Sequence, residues 1–299
     1  MTHGTASPAL KMGVPIPNGK LGMWLFLGTE IMFFAAFIGT YIVVRIGSPG
    51  WPTDTHVTHI NVWAGGINTF VLICSSVSVV LAHEAMHLRN YRRATDMMTL
   101  TLILACVFLG IKSFEYYGKY SHDILPSHVA ESPQQAIDKM VREIDVAAGF
   151  PVIAAEASTL KNEQAAGKGD PEKTKVVDEK LKALAPVIAF KQGLKDGKYN
   201  LKEATAELAT LTKDFPVLKS VHEPHVIVYG NLFASTYFTM TGFHALHVLI
   251  GMGLFIGIII LGKTNKLGEK HEVLVENCGL YWHFVDLVWI FLFPLIYII

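Results

Sequence analysis

Glu30, Glu115, His244, His247, Glu276, His283 and Asp286 are ionisable residues that sit inside stretches that are otherwise largely apolar. An unpaired ionisable group at membrane depth costs from about 3 to over 10 kcal/mol, so such residues normally face a protein interior, a water-filled cavity or a partner. Three chemistries suit these residue types. Carboxyl and imidazole groups can form a hydrogen-bonded polar layer between helices, histidines on two helices can ligate a haem, and a helical His pair with a nearby Glu can bind zinc.

The zinc pattern is His83-Glu84-Ala85-Met86-His87, an H-E-x-x-H match. On a helix this spacing puts two imidazoles on one face beside a glutamate, as an intramembrane zinc peptidase would need. No third ligand follows, and the continuation Leu88-Arg89-Asn90-Tyr91-Arg92-Arg93 is basic and would repel a metal cation. Interfacial polar residues are the stronger reading, and no metal ligands are assigned. For haem, His244 or His247 would have to meet His283. Their helices run in opposite directions, so the histidines need not share a depth. The competing reading is a hydrogen-bonded polar layer that links the last two spans through Glu276 and Asp286.

Helical spacing sorts the remaining candidates. Glu276, His283 and Asp286 are separated by seven and three, so they share one face. Tyr237, Thr241, His244, His247 and Gly251 step by three or four and define a polar stripe. Gly253 and Gly257 form a G-x-x-x-G pair suited to close helix approach. Near the N-terminus, Gly28, Met32, Ala35 and Gly39 form a small-residue stripe. Glu30 lies about 200° around the helix from Gly28. If the stripe packs into the bundle, Glu30 looks outward to a partner or lipid; the alternative is a hydrogen bond within the bundle. Glu115 falls where its helix reaches an interface, either paired with a neighbouring helix or solvated.

These residues need spans to hold them. Hydrophobic residues make up 51% of the 299 and charged residues 17%, the profile of an integral membrane protein. Formal net charge is zero, which argues against nucleic acid as a partner. A crossing needs about 20 apolar residues, and five stretches qualify: 21–45, 62–82, 97–117, 229–262 and 276–298. The expected class is therefore an all-α membrane protein with five transmembrane helices. Its parts are a tail (1–20), three spans (21–117), an insert (118–225) and two spans (226–299). The tail lacks a cleavable secretory signal. Cys74, Cys106 and Cys278 read as small buried thiols.

The insert carries most of the chain's charge and no continuous apolar run. Pro133–Ala148 and Lys173–Leu184 have helical periodicity, and Asn200 with Glu203 forms a capping-box signal for a helix over Leu201–Thr212. Gly167 to Pro171 and Asp196-Gly197 read as turns. A small helical domain is the expectation. Lys11, Lys20, Arg89, Arg92, Arg93, Lys263, Lys266 and Lys270 fall on one side of the membrane, and little beyond Arg45 on the other. The positive-inside rule then places the N-terminus in the cytoplasm, with the C-terminus and the insert outside, on the periplasmic face of a bacterial plasma membrane.

Five ordered motifs resemble subunit III of the haem-copper respiratory oxidases, the cytochrome c oxidase subunit 3 family. They are Trp24 to Phe34 (W-L-F-L-G-T-E-I-M-F-F), Asn68 to His83, Phe108 to Tyr117 (F-L-G-I-K-S-F-E-Y-Y), Thr241 to Gly251 (T-G-F-H-A-L-H-V-L-I-G) and Glu276 to Asp286 (E-N-C-G-L-Y-W-H-F-V-D). The resemblance spans all five helices and implies the short form without the family's first two helices. It says nothing of the insert. It implies a subunit without a redox centre, in a proton-pumping complex that reduces oxygen to water, with haem and copper in partner subunits. It further implies packing on subunit I beside subunit II, bound phospholipid, and support of proton uptake and turnover stability. Glu30 matches the family's intramembrane glutamate, and His83 its helix-terminal Ala-His. Lys263, Lys266, Lys270 and His271 are the candidates to meet lipid headgroups. Cytochrome c is the expected donor and quinol the alternative. The insert is the candidate surface for a neighbouring respiratory complex.

Overall fold

The computed structural model describes residues 18–165, 171–223 and 226–298. Most of the N-terminal tail, including Lys11, and the turn at 167–170 lie outside them. Among the described residues all regular structure is helical, apart from one isolated bridge between Ala130 and Val226. Five helical segments are long and apolar enough to cross a membrane: α1 (Asn18–Gly47), α3 (Val62–His87), α4 (Tyr91–Ser121), α10 (Gly230–Lys263) and Glu269–Ile298. The last comprises a 3-10 turn, α11 (Glu272–Phe293) and a π-helical end that begins at Pro294. A short α2 (Thr55–Thr58) lies between α1 and α3, and α5 to α9 fall between α4 and α10.

The helices outrun their apolar stretches because polar ends continue them. Asn90 starts α4 by accepting the Arg93 N–H at 3.1 Å, so the first turn holds Arg92 and Arg93. With 34 residues, α10 is about 51 Å long, well over the roughly 30 Å hydrocarbon thickness.

The chain divides into two compact bodies. The first contains residues up to 42, 62–112 and from 240 on. Its centre is the packing of α11 on α3. Gly65, Asn68, Leu72, Ser75, Val79, Ala82 and Met86 recur every three or four residues along α3 and are buried. Small residues in this stripe admit two tryptophans of α11: Trp282 Nε1–H donates to Ser75 Oγ at 2.9 Å, and Trp289 Nε1–H to Thr69 Oγ1 at 3.0 Å. A side chain at Gly65 would place its Cβ 2.7 Å from the Phe293 ring. On α10, Gly251 makes the same allowance for Trp282, with a Cβ position 2.8 Å from the indole. The G-x-x-x-G pair read from the sequence does not serve this contact. No described atom of another element comes within 4 Å of a Cβ built on Gly253 or Gly257, and Gly253 is more than half a turn around the helix from Gly251. Cys278 is buried and Cys74 half-buried as expected, whereas Cys106 is exposed on the outward face of α4.

The second body contains residues 43–61 and 113–239. Within it, α5 (Pro133–Ala147), α8 (Ala185–Lys195) and α9 (Leu201–Asp214) enclose a core of Ile137, Met140, Ile144, Val187, Phe190 and Leu208. α6 (Phe150–Ala165) and α7 (Pro171–Ala183) complete it. The capping box appears as expected: Asn200 Oδ1 accepts the Glu203 N–H at 2.9 Å, and Glu203 Oε2 accepts the Asn200 N–H at 3.0 Å. Gly197, with φ of 70°, ends α8 in the left-handed conformation that glycine tolerates. Asn231 ties the two ends of the 130–226 segment together. Its amide Nδ2–H donates to Val129 O at 2.8 Å, its Oδ1 accepts the Val129 N–H at 3.0 Å, and its own N–H donates to Glu131 at 2.9 Å.

Candidate functional site

Glu30 faces inward. Its Oε2 lies 3.2 Å from His247 Nε2, and the side chains are 21% and 10% exposed. The stripe of Gly28, Met32, Ala35 and Gly39 is exposed instead, and no described atom comes within 4 Å of a Cβ built on Gly28 or Gly39. The outward expectation for Glu30 assumed that small residues pack inward. Here Phe34 and Tyr41 of α1 fill the contact with the bundle, and Glu30 follows them.

His247 Nδ1 is 2.8 Å from the Phe243 carbonyl, which can only accept, so Nδ1 bears hydrogen. Nε2 is the nitrogen turned to the Glu30 carboxyl. Tyr281 O–H donates to the His247 carbonyl at 3.0 Å and fixes that turn of α10 against α11. Phe34 and Phe284 close around the imidazole, with ring centroids 5.2 and 6.1 Å away.

The other candidates separate into distinct settings. His244 is buried between Phe108 and Trp289, at centroid distances of 5.7 and 5.2 Å. Its two ring nitrogens, both carboxyl oxygens of Asp286 and the side-chain amide of Asn68 have no hydrogen-bonding partner among the described residues. His283 Nδ1 and Ser76 Oγ share a 2.6 Å hydrogen bond from α11 to α3. Glu276 pairs with Lys20 at 2.7 Å, at the ends of α11 and α1, and so lies outside the buried layer proposed to include it. In the second body, Glu115 is buried and accepts the Tyr237 O–H at 2.6 Å, which decides between pairing and solvation. The polar stripe on α10 is buried: Tyr237, Thr241, His244 and His247 are each under 10% exposed.

Sequence reasoning missed Lys112, a buried cation on α4. Its Nζ–H donates to Tyr297 O–H at 2.6 Å and lies 4.9 Å from the Trp289 ring centroid. A lone Lys in the run F-L-G-I-K was the available signal. The Ser76 hydroxyl and the Asn68 amide carried weaker ones.

At the opposite end of the first body, Arg89 pairs with Glu269 and His87 with Glu272, each at 3.0 Å. His87 of the H-E-x-x-H motif is thus an exposed ion-pair partner, and Glu84 is exposed. Among the described residues, three ligating atoms gather within 4.8 Å elsewhere, at Asp123, Glu143 and His222, and not around His83 and His87. Lys263, Lys266 and Lys270 are exposed, while His271 is half-buried and its Nδ1 accepts the Gly268 N–H at 3.2 Å.

Five helices long and apolar enough to cross a membrane, with polar side chains buried along them, define a polytopic helical membrane protein. A family model described as cytochrome c oxidase subunit III matches residues 2–124 and 198–299. The chain belongs to the cytochrome c oxidase subunit III family. It is similar to cytochrome c oxidase subunit 3 of Triticum aestivum, 42% identical over 305 residues, covering 99% of this chain and 72% of the relative. Subunit 3 of Alkalihalophilus pseudofirmus is 22% identical over 281 residues, covering 94% and 86%. That of Arabidopsis thaliana is 42% identical over 288 residues, covering 93% and 67%. Residues 125–197, with α5 to α8 (up to Lys195), lie outside the family match.

Proposed function

We propose that this chain is the non-catalytic subunit III of a proton-pumping cytochrome c oxidase, packed on subunit I in a complex with subunit II. In this reading the haem and copper that reduce oxygen belong to those partners. The chain binds phospholipid, with Lys263, Lys266, Lys270 and His271 near the headgroups, and supports proton uptake and sustained turnover. The observation that carries the reading is the Glu30–His247 pair. A carboxyl and an imidazole on two apolar helices lie within hydrogen-bonding distance, and both ring nitrogens of His247 have partners within the chain. Ser76 likewise engages His283. Family membership supports assembly with oxidase subunits. The distribution of Lys and Arg supports a plasma-membrane orientation with the N-terminus in the cytoplasm and the insert on the periplasmic side.

The test is Glu30→Gln in the purified oxidase. Initial oxygen consumption should stay within about twofold of wild type, because no electron passes through Glu30, a change of about 0.4 kcal/mol or less in the barrier. Activity over many turnovers, or the proton yield per electron, should fall. Loss of the first turnovers would place Glu30 in the catalytic path; unchanged long-term activity and proton yield would remove it from proton uptake.

A further inference from the structure

The second body contains a constellation that the oxidase reading does not use. Asp123 ends α4, where its N–H donates to Tyr120 O at 3.1 Å and the next N–H, of Ile124, to Lys119 O at 2.9 Å. This closure puts Asp123 at φ of 53°, a position that glycine fills more readily, and sets a carboxylate at the negative end of a helix. The second feature is unfavourable unless a cation sits against the carboxylate. Two positive or potentially positive groups do: Lys139 forms an ion pair with Asp123, and His128 Nδ1 lies 3.0 Å from Asp123 Oδ1.

Glu143 lies one turn beyond Lys139 on the same face of α5. His222, after the 3-10 turn Pro216–Ser220, reaches Glu143 Oε2 with its backbone N–H at 2.7 Å and its Nδ1 at 3.2 Å. The ligating atoms of Asp123, Glu143 and His222 all lie within 4.8 Å of one another. Zinc bonds of about 2.0–2.2 Å to nitrogen and oxygen set the edges of a tetrahedron near 3.4 Å. One edge already has that length, and rotamer shifts of about 1 Å would close the others. His222 and Asp123 also line a cavity of about 380 Å³ into which His59 and His122 face. Those two imidazoles stack with centroids 3.8 Å apart.

From this geometry we infer that Asp123, Glu143 and His222 form a binding site for a divalent transition-metal ion. A mixed imidazole and carboxylate set selects zinc-class ions over magnesium or calcium, which prefer all-oxygen shells. The ion replaces Lys139 on Asp123 and joins the end of α4 to α5 and to the segment leading into α10. The ligands are 20 and 79 positions apart in sequence, too far for a motif to show them. The site is independent of proton uptake at Glu30.

The test is zinc chloride titration of the untagged full-length chain in detergent after chelator washing, by calorimetry, with millimolar magnesium present throughout. One saturable site per chain is expected. His222→Ala and Glu143→Gln should each weaken it at least tenfold. Lys139→Met removes the competing ammonium and should tighten it severalfold, a gain that misfolding cannot mimic. His83→Ala and His87→Ala should leave it unchanged. Absence of saturable zinc binding, insensitivity to His222→Ala, loss on His87→Ala, or weakening by Lys139→Met would each overturn the assignment.

Discussion

Replacing Glu30 and His247 singly and together by leucine tests the inward placement of the glutamate. The atoms are 3.2 Å apart, longer than the roughly 2.7–2.9 Å of a strong charge-assisted bond, and both side chains keep some exposure. Hydrogen bonds to charged groups contribute about 1.5–3 kcal/mol in water-soluble proteins. Polar pairs between membrane helices average about 0.6 kcal/mol and reach about 1.7. A long, partly exposed pair inside a helix bundle should fall between these, at a coupling of about 1 kcal/mol, or about fivefold in an unfolding constant. Each single leucine should cost more than that, because it strands the partner's polar atom. Glu30→Gln keeps a hydrogen-bonding head and should cost under about 0.5 kcal/mol. Reversible unfolding of the chain in mixed micelles, followed by tryptophan fluorescence, gives the four corners of the cycle. Trp282 and Trp289 are buried against α3 and should report its separation from α11. A coupling within about 0.3 kcal/mol of zero would mean that Glu30 and His247 do not meet. The small-residue stripe, not Phe34 and Tyr41, would then be the inner face of α1.

Other substitutions probe other contacts. Gly251→Val should destabilise the chain by about 1–3 kcal/mol through collision with Trp282, whereas Gly253→Ala should be neutral or stabilise it by up to about 1 kcal/mol; the same unfolding assay separates them. Tyr237→Phe should cost about 1–3 kcal/mol, since it strips the donor from the buried Glu115 carboxyl; an equal cost in a Glu115→Leu background would show that the bond is not formed. Replacing Ser132–Phe215 by a short Gly/Ser bridge should leave the five spans inserted, because α5 to α9 enclose their own core, while loosening a larger assembly seen by native electrophoresis. An intact assembly with a raised Michaelis constant for the electron donor would instead assign the segment to donor docking.

The spans were legible because apolar length is a one-dimensional property, and so was the capping box at Asn200, which is local. The polar stripe on α10 was readable from its period. The face that α1 turns inward was not: small residues pack well against helices of either this chain or a partner, and only the competing bulk of Phe34 and Tyr41 decides. The G-x-x-x-G pattern shares that ambiguity: within this chain Gly251, not Gly253, meets an indole, and a pattern of small residues does not say which helix it serves. α6 escaped notice because its apolar residues follow no stripe. α8 had Pro186 in its first turn with Val187, Phe190 and Leu194 at helical spacing, and could have been found. Partners such as Ser76 for His283 and Tyr237 for Glu115 are set by tertiary packing, which no local pattern encodes.

In the function proposed above, this chain supports an oxidase without taking part in electron transfer. The most direct measurement is detergent depletion of the chain from the purified complex, with the haem spectrum, the copper content and oxygen consumption recorded before and after. Haem and copper per remaining complex should be unchanged, and oxygen consumption should start near the intact rate and then decline during turnover, a decline that adding back the chain with phospholipid slows. Haem or copper leaving with the chain, or oxygen reduction absent from the first turnovers, would contradict it.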